Sequence, residues 1–308
     1  MALTSDSFIE RSHLKRQVLF WRLAAAGVIV FFLIVLVEKN VKIPQVSTSS
    51  YIARLTINDV VTDNQKLYDL LDDIRDDENA KALILSLDTP GGVAVAGEAI
   101  HQKIKEISAK KPVVASMRSI CASAGYMIAI AADHVLAMRG TITGSIGVIF
   151  QTAEFSELAD KVGVKPIIVK SGQFKGSPSM TDPIKPEERE ILQGMIDEFH
   201  TVFVKMVAKD RNISEEKVRI IADGRIYSAM KAKSIGLIDG LGGEKEALEW
   251  LKKEKEIDIS LEIKDMKIKS KFDTLYDKFV QYAGIRHLTD SATLDEGLML
   301  LWHPELTY

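Results

Sequence analysis

A single cysteine, Cys121, stands among 308 residues, so the chain has no intrachain disulfide and no four-cysteine zinc site. That count fits a reducing or an oxidising compartment alike. An excess of one charge is missing as well. Forty Lys and Arg oppose 43 Asp and Glu for a net of −3, which gives nucleic acid no reason to bind. Histidine is sparse at six, and neither HExxH nor a paired His/Cys spacing occurs, so no metal is expected. No cofactor is expected either. The glycine turn DTPGG at 88–92 has neither the GxxxxGK[ST] nor the GxGxxG spacing that cradles phosphates.

Long apolar runs are missing everywhere but at residues 23–37, LAAAGVIVFFLIVLV. With Val18, Phe20, Trp21 and a snorkelling Arg22 the segment approaches the roughly 20 residues that span a bilayer core of about 30 Å. Arg11, Lys15, Arg16 and Arg22 precede or edge it, whereas Glu38, Lys39 and Lys42 follow, so residues 1–17 should stay inside and the rest lie outside. No small-x-small cleavage pattern follows the run, which favours a retained anchor over 18–38 rather than a signal peptide.

Residues 39–50 are polar and suit a short tether. From Tyr51 short strand-like runs alternate with amphipathic stretches. They are ARLTI (53–57), a helix near 64–77, ALILSLD (82–88), a helix near 95–109, PVVASM (112–117), a helix from Ser123 to 132, HVLAM (134–138), GVIFQ (147–151) and KPIIVK (165–170). The pattern is α/β with mostly buried strands. A long helix over 186–209 places Ile191, Met195, Ile196, Phe199, Val202, Phe203, Met206 and Val207 on one stripe. Shorter helices are expected near 214–223, 228–236 and 244–255, which closes a domain at 51–255. Residues 256–308, with a basic amphipathic stretch at 268–284, form an extension of no assigned role.

Gly91 and Gly92 make a strand-to-helix turn whose bare backbone N–H groups could hold an oxyanion or simply turn the corner. Ser123 stands at a helix entrance, where free N–H groups and the helix dipole favour negative charge. It could be a nucleophile or an ordinary N-cap. Cys121 reads more simply as a small buried hydrophobe. No histidine completes a conventional triad: His134 opens a strand, His101 and His200 fall in helices, His13 precedes the apolar run, and His287 and His303 lie in the C-terminal stretch. A lysine serves as a base when burial and the absence of a carboxylate keep it neutral. Lys170 and Lys175 are both available in VKSGQFKGSPS (169–179), and pattern alone does not choose between them.

DTPGG (88–92), CASAGYMIAIAAD (121–133), GTITGSIGVI (140–149), VKSGQFKGSPS (169–179) and DGRIYSAMKAKSIGLIDGLGG (223–243) occur in that order. Together they resemble the signal peptide peptidase A family, membrane-associated serine proteases on the Clp protease/crotonase-like αβ spiral. The resemblance implies Ser123 as nucleophile, Lys175 as general base, Ser145 as the hydroxyl that orients the lysine, and the N–H groups of Gly92 and Ala124 as oxyanion donors. Ala124 departs from the family glycine and adds a methyl beside the oxyanion position. The resemblance further implies residual signal peptides and other membrane-proximal peptides as substrates. It also implies a homo-oligomeric ring whose dyads are shared between subunits, and a bacterial inner membrane location with the catalytic domain on the periplasmic, extracytoplasmic side. Two other readings fit parts of the pattern: a catalytically silent, membrane-anchored peptide-binding scaffold, and a crotonase-type acyl-CoA enzyme.

Overall fold

The computed structural model describes residues 18, 20–25, 27 and 49–268. Thr48–Ile268 form one compact unit, and the described residues before it belong to a second. Residues 18, 20–25 and 27 are helical. Most of the expected anchor lies outside the described residues, and among those described no helix is long and apolar enough to cross a membrane.

The unit is a mixed α/β sheet with helices on both faces. Its strands are β1 (Tyr51–Asn58), β2 (Ala80–Thr89), β3 (Val113–Ala122), β4 (His134–Ala137), β5 (Ile142–Gly144), β6 (Ile226–Ser228), β7 (Gly240–Leu241) and β8 (Glu262–Met266). The order is β6-β5-β3-β2-β1-β8, with β4 beside β3 and β7 beside β4. All pairings are parallel except β5 with β6. Alternate residues of the central strands serve opposite faces, because successive side chains of a strand point apart. Leu83, Leu85, Leu87, Val113 and Ala115 pack under α1 (Gln65–Asp76), α2 (Ala94–Ser108) and the helices that follow, while Ile52, Ala82, Ile84 and Val114 pack under α8 (Glu244–Lys255). Each fully buried Leu or Ile contributes about 1.5–3 kcal/mol against exposure.

β3 changes neighbours along its length. Val114–Met117 pair with β4, whereas Ile120–Ala122 pair with β5. Three adjacent parallel strands, β2, β3 and β5, therefore end side by side, and the residues that follow them are the 90–92 turn, Ser123 and Ser145. The carboxyl ends of parallel strands are where such sheets hold ligands.

Several expectations need correction. GVIFQ and KPIIVK are not strands: no strand pairs with them, the ladder position beside β3 is taken by β5, and Ile149, Ile167 and Val169 are 83%, 92% and 94% exposed. The long helix forms as α5 (Pro186–Arg211), but its apolar stripe is not core along its length. Phe203, Val204 and Val207 are buried, whereas Ile191, Met195 and Phe199 are exposed. The helix after Ser123, α3 (Ala124–Ala129), has only six residues, so its dipole is weaker than a ten-residue helix would give. β8 comes from the stretch after residue 255 and lies parallel to β1.

Candidate active site

Ser123 is not an ordinary N-cap. Its backbone takes φ 53° and ψ −122°, and its hydroxyl makes no capping bond to α3. A non-glycine residue in this region costs on the order of 1–3 kcal/mol and persists only where its surroundings impose it. Here they do: Ser123 N–H donates to Gly144 O at 2.9 Å, and Met127 N–H donates to Ser123 O at 2.9 Å. The strained strand-to-helix corner leaves Ser123 half-buried in the lining of a cleft of about 710 Å³. Gly92, Ala124, Met127, Ser145 and His200 share that cleft.

The glycine turn is clamped from two sides. Thr89 Oγ1 accepts the Gly91 N–H at 3.2 Å. Val61 N–H donates to Gly91 O at 2.8 Å, and Val93 N–H donates to Val61 O at 2.9 Å. Val61 thus bridges Gly92 so closely that a Cβ there would stand 2.1 Å from Val61 O, and only glycine fits. These bonds leave the Gly92 N–H and the Ala124 N–H with no partner among the described residues, and both residues line the cleft with Ser123. The Ala124 methyl is accommodated by Gly97 of α2, where a Cβ would lie 3.0 Å from it.

Ser145 also has positive φ, 50°, and its N–H donates to Arg225 O at 2.9 Å. Lys175 sits elsewhere. It closes a turn through its N–H to Gly172 O at 3.1 Å, its side chain is exposed, and it is not among the residues lining the Ser123 cleft. Within one chain the cleft brings together Ser123, Ser145, Gly92 and Ala124, and does not include Lys175. Gly91 lies directly behind Ser123.

Cys121 is fully buried, and burial, with the Asp88 charge, pushes its thiol far above the ordinary range, which removes it as a nucleophile. His101 is committed to Asp210 at 2.6 Å, and His134 stacks on Trp250 at 4.8 Å. His13, His287 and His303 lie outside the described residues. Among the described residues no group of His, Cys, Asp or Glu is arranged to hold a metal.

Sequence reasoning missed three residues around the site. His200, by its pattern simply a helical histidine, lines the cleft and donates from Nε2 to Ala222 O at 2.8 Å. Tyr227 lies beneath Gly144 and donates to Ile221 O at 2.9 Å. Glu188 accepts the Ser177 hydroxyl at 2.5 Å and the Lys185 N–H at 3.1 Å, which ties the Lys175 segment to the start of α5. Those bonds, the serine first, hold its carboxyl below the usual range. Glu188 carries a local sign in its spacing, an N3 acid after a helix start, and Tyr227 stands inside the DGRIYSAMKAKSIGLIDGLGG stretch, whereas His200 carries none.

Residues 105–258, half of the chain, match the model of peptidase family S49. Protein slr0021 of Synechocystis sp., named provisionally as a protease, is 40% identical over 66% of this chain and 74% of its own length. MJ0651 of Methanocaldococcus jannaschii, named in the same way, is 40% identical over 59% of this chain and 58% of its own. An Enterococcus faecium protein named provisionally as signal peptide peptidase SppA is 32% identical over 68% and 65%. The match thus spans less than two thirds of the last two. Among solved structures, a ClpP1 variant from Listeria monocytogenes aligns with a TM-score of 0.43 at 20% identity, over 63% of this chain and 92% of that one.

Proposed function

Because the chain belongs to peptidase family S49, we propose that it is a serine endopeptidase of the Clp protease/crotonase-like αβ spiral with Ser123 as nucleophile and Lys175 as general base. The observation that carries this reading is Ser123 itself, with positive φ, an uncapped hydroxyl and two undonated N–H groups in the same cleft. Neutral Lys175 Nζ takes the proton as Ser123 Oγ bonds to the substrate carbonyl carbon. The carbonyl oxygen becomes an oxyanion held by the N–H groups of Gly92 and Ala124. Collapse breaks the C–N bond, and the leaving amine takes the proton back from Lys175. Water then attacks the Ser123 ester by the same route and releases the acid. Ser145 Oγ orients the lysine amine.

Lys175 comes from a neighbouring copy in a homo-oligomeric ring. Its absence from the cleft of its own chain supports this, as do the exposed apolar residues Ile167 and Val169 shortly before it in the chain and Ile149 and Phe199 elsewhere on the unit. The apolar run at 23–37 anchors residues 18–38 in the membrane, with the peptidase unit on the extracytoplasmic side. The substrates are residual signal peptides and other membrane-proximal segments, bound extended along the glycine turn.

Labelling with a serine-directed fluorophosphonate, followed by mapping of the modified peptide, tests the nucleophile. Ser123 should carry the label, and Ser123→Ala and Lys175→Ala should each abolish peptide hydrolysis. Undiminished cleavage by both variants excludes the dyad. Peptide binding without cleavage by the unmodified chain would instead identify a silent scaffold.

A further inference from the structure

We infer that His200 is a positioning residue that latches the 222–225 loop and, through that loop, sets Ser145 against the reacting serine. The inference rests on the reading of Ser123 and Lys175 as the dyad. His200 projects from α5 into the cleft that holds Ser123, yet its contact is with backbone, Nε2 to Ala222 O at 2.8 Å. A carbonyl can only accept, so Nε2 carries the hydrogen. The bond therefore fixes which ring nitrogen carries a hydrogen.

What this bond holds is the support of Ser145. Ser145 N–H donates to Arg225 O at 2.9 Å, and Gly224 N–H donates to Ile146 O at 3.1 Å. The two segments approach so closely that a Cβ on Gly147 would meet Gly224 Cα at 3.1 Å. Through the adjoining Gly144 O, the same segment accepts the Ser123 N–H at 2.9 Å. The loop is therefore the platform on which the positive-φ Ser145 stands, and His200 joins it to α5 across 22 residues of sequence. Tyr227 donates to the preceding carbonyl, Ile221 O, at 2.9 Å, but it does not line the cleft. Without the His200 donor the Ala222 carbonyl can drift toward cleft water, and Ser145 with it. Loose placement of an orienting group is felt in the chemical step more than in binding.

His200→Met keeps volume without the donor, and His200→Gln keeps a donor. Fluorophosphonate acylation of the full chain, followed against pH, should slow about tenfold in the Met variant with its pH midpoint displaced, because the lysine amine loses its oriented partner. The KM for a peptide should stay within about threefold. The Gln variant should recover the rate to within about threefold and restore the midpoint. Amide exchange at Gly224 and Ser145 should quicken in the Met variant alone. An unmoved rate and midpoint in the Met variant would overturn the latch, as would equal loss in both variants. Ser123→Ala run in parallel separates the two ideas. Labelling that persists there sinks the dyad, whereas an unlabelled Ser123→Ala beside an unaffected His200→Met sinks only the latch.

Discussion

Gly91 is pressed against the back of Ser123: a Cβ added at 91 would stand 2.7 Å from the Ser123 Cβ and 3.0 Å from the carbonyl oxygen of Ala122. Gly91 also has φ 114°, a conformation that L side chains rarely adopt. Gly91→Ala should therefore add about 1–3 kcal/mol of strain and displace either the turn or the serine. Hydrolysis should fall by about 100-fold or more, since displacements near 1 Å are enough for that. Peptide kinetics combined with thermal melting check this, and a variant with near-normal kcat would contradict the packing.

If Ser123 and Lys175 of one site come from different subunits, two dead variants should rescue each other. Chains carrying Ser123→Ala and chains carrying Lys175→Ala, unfolded together and reassembled in equal amounts, should regain about a quarter of the unmodified activity, because a quarter of randomly composed sites hold both residues. A dyad built within one chain would leave the mixture inactive at every ratio.

Glu188 is the tether between the Lys175 segment and α5, with one carboxylate oxygen on Ser177 and the other on the Lys185 N–H. Glu188→Ala should free residues 172–178, raise their cleavage by added trypsin, and lower kcat about tenfold. Ser177→Ala loses one of the two bonds and should fall between Glu188→Ala and the unmodified chain. Equal trypsin sensitivity in all three would deny the tether.

Much of the platform was legible before any coordinates. The buried strand ending in DTPGG and the helix after it follow from apolar periodicity and glycine placement, and both form, whereas the PVVASM strand runs on to Ala122 in place of the expected short loop and the helix after Ser123 is shorter than its pattern suggests. β5, β6 and β7 were not legible, since two or three residues are too few to show a period of two. KPIIVK shows the converse: its composition suits a strand, but strand formation needs a paired neighbour and none is supplied. The two readings of Ser123 could not be separated from sequence, because what separates them is a backbone dihedral and an absent capping bond. The contact of His200 was invisible for a related reason. Its partner is a main-chain carbonyl, which leaves no trace in residue identity.

The joint between α2 and α5 makes stability depend on acid. The Asp210 side chain is almost wholly buried, with Oδ2 on His101 Nε2 at 2.6 Å and Oδ1 near Lys105 Nζ at 3.2 Å. Burial opposes its ionisation, but the His101 bond and charge together with Lys105 outweigh that and hold the carboxyl below its ordinary value. A depressed native pKa means that the unfolded chain binds the proton more tightly. The stabilisation is therefore complete above the unfolded value of about 3.9 and is lost as pH falls through the native one. Asp210→Asn should lower Tm by about 3–8 °C at pH 7. The gap between variant and unmodified chain should close as the melts are carried down through acid pH, because the protonated aspartic acid and the amide then carry the same charge. A gap that stayed constant from pH 7 to the acid limit would mean that Asp210 contributes through shape and not through its charge.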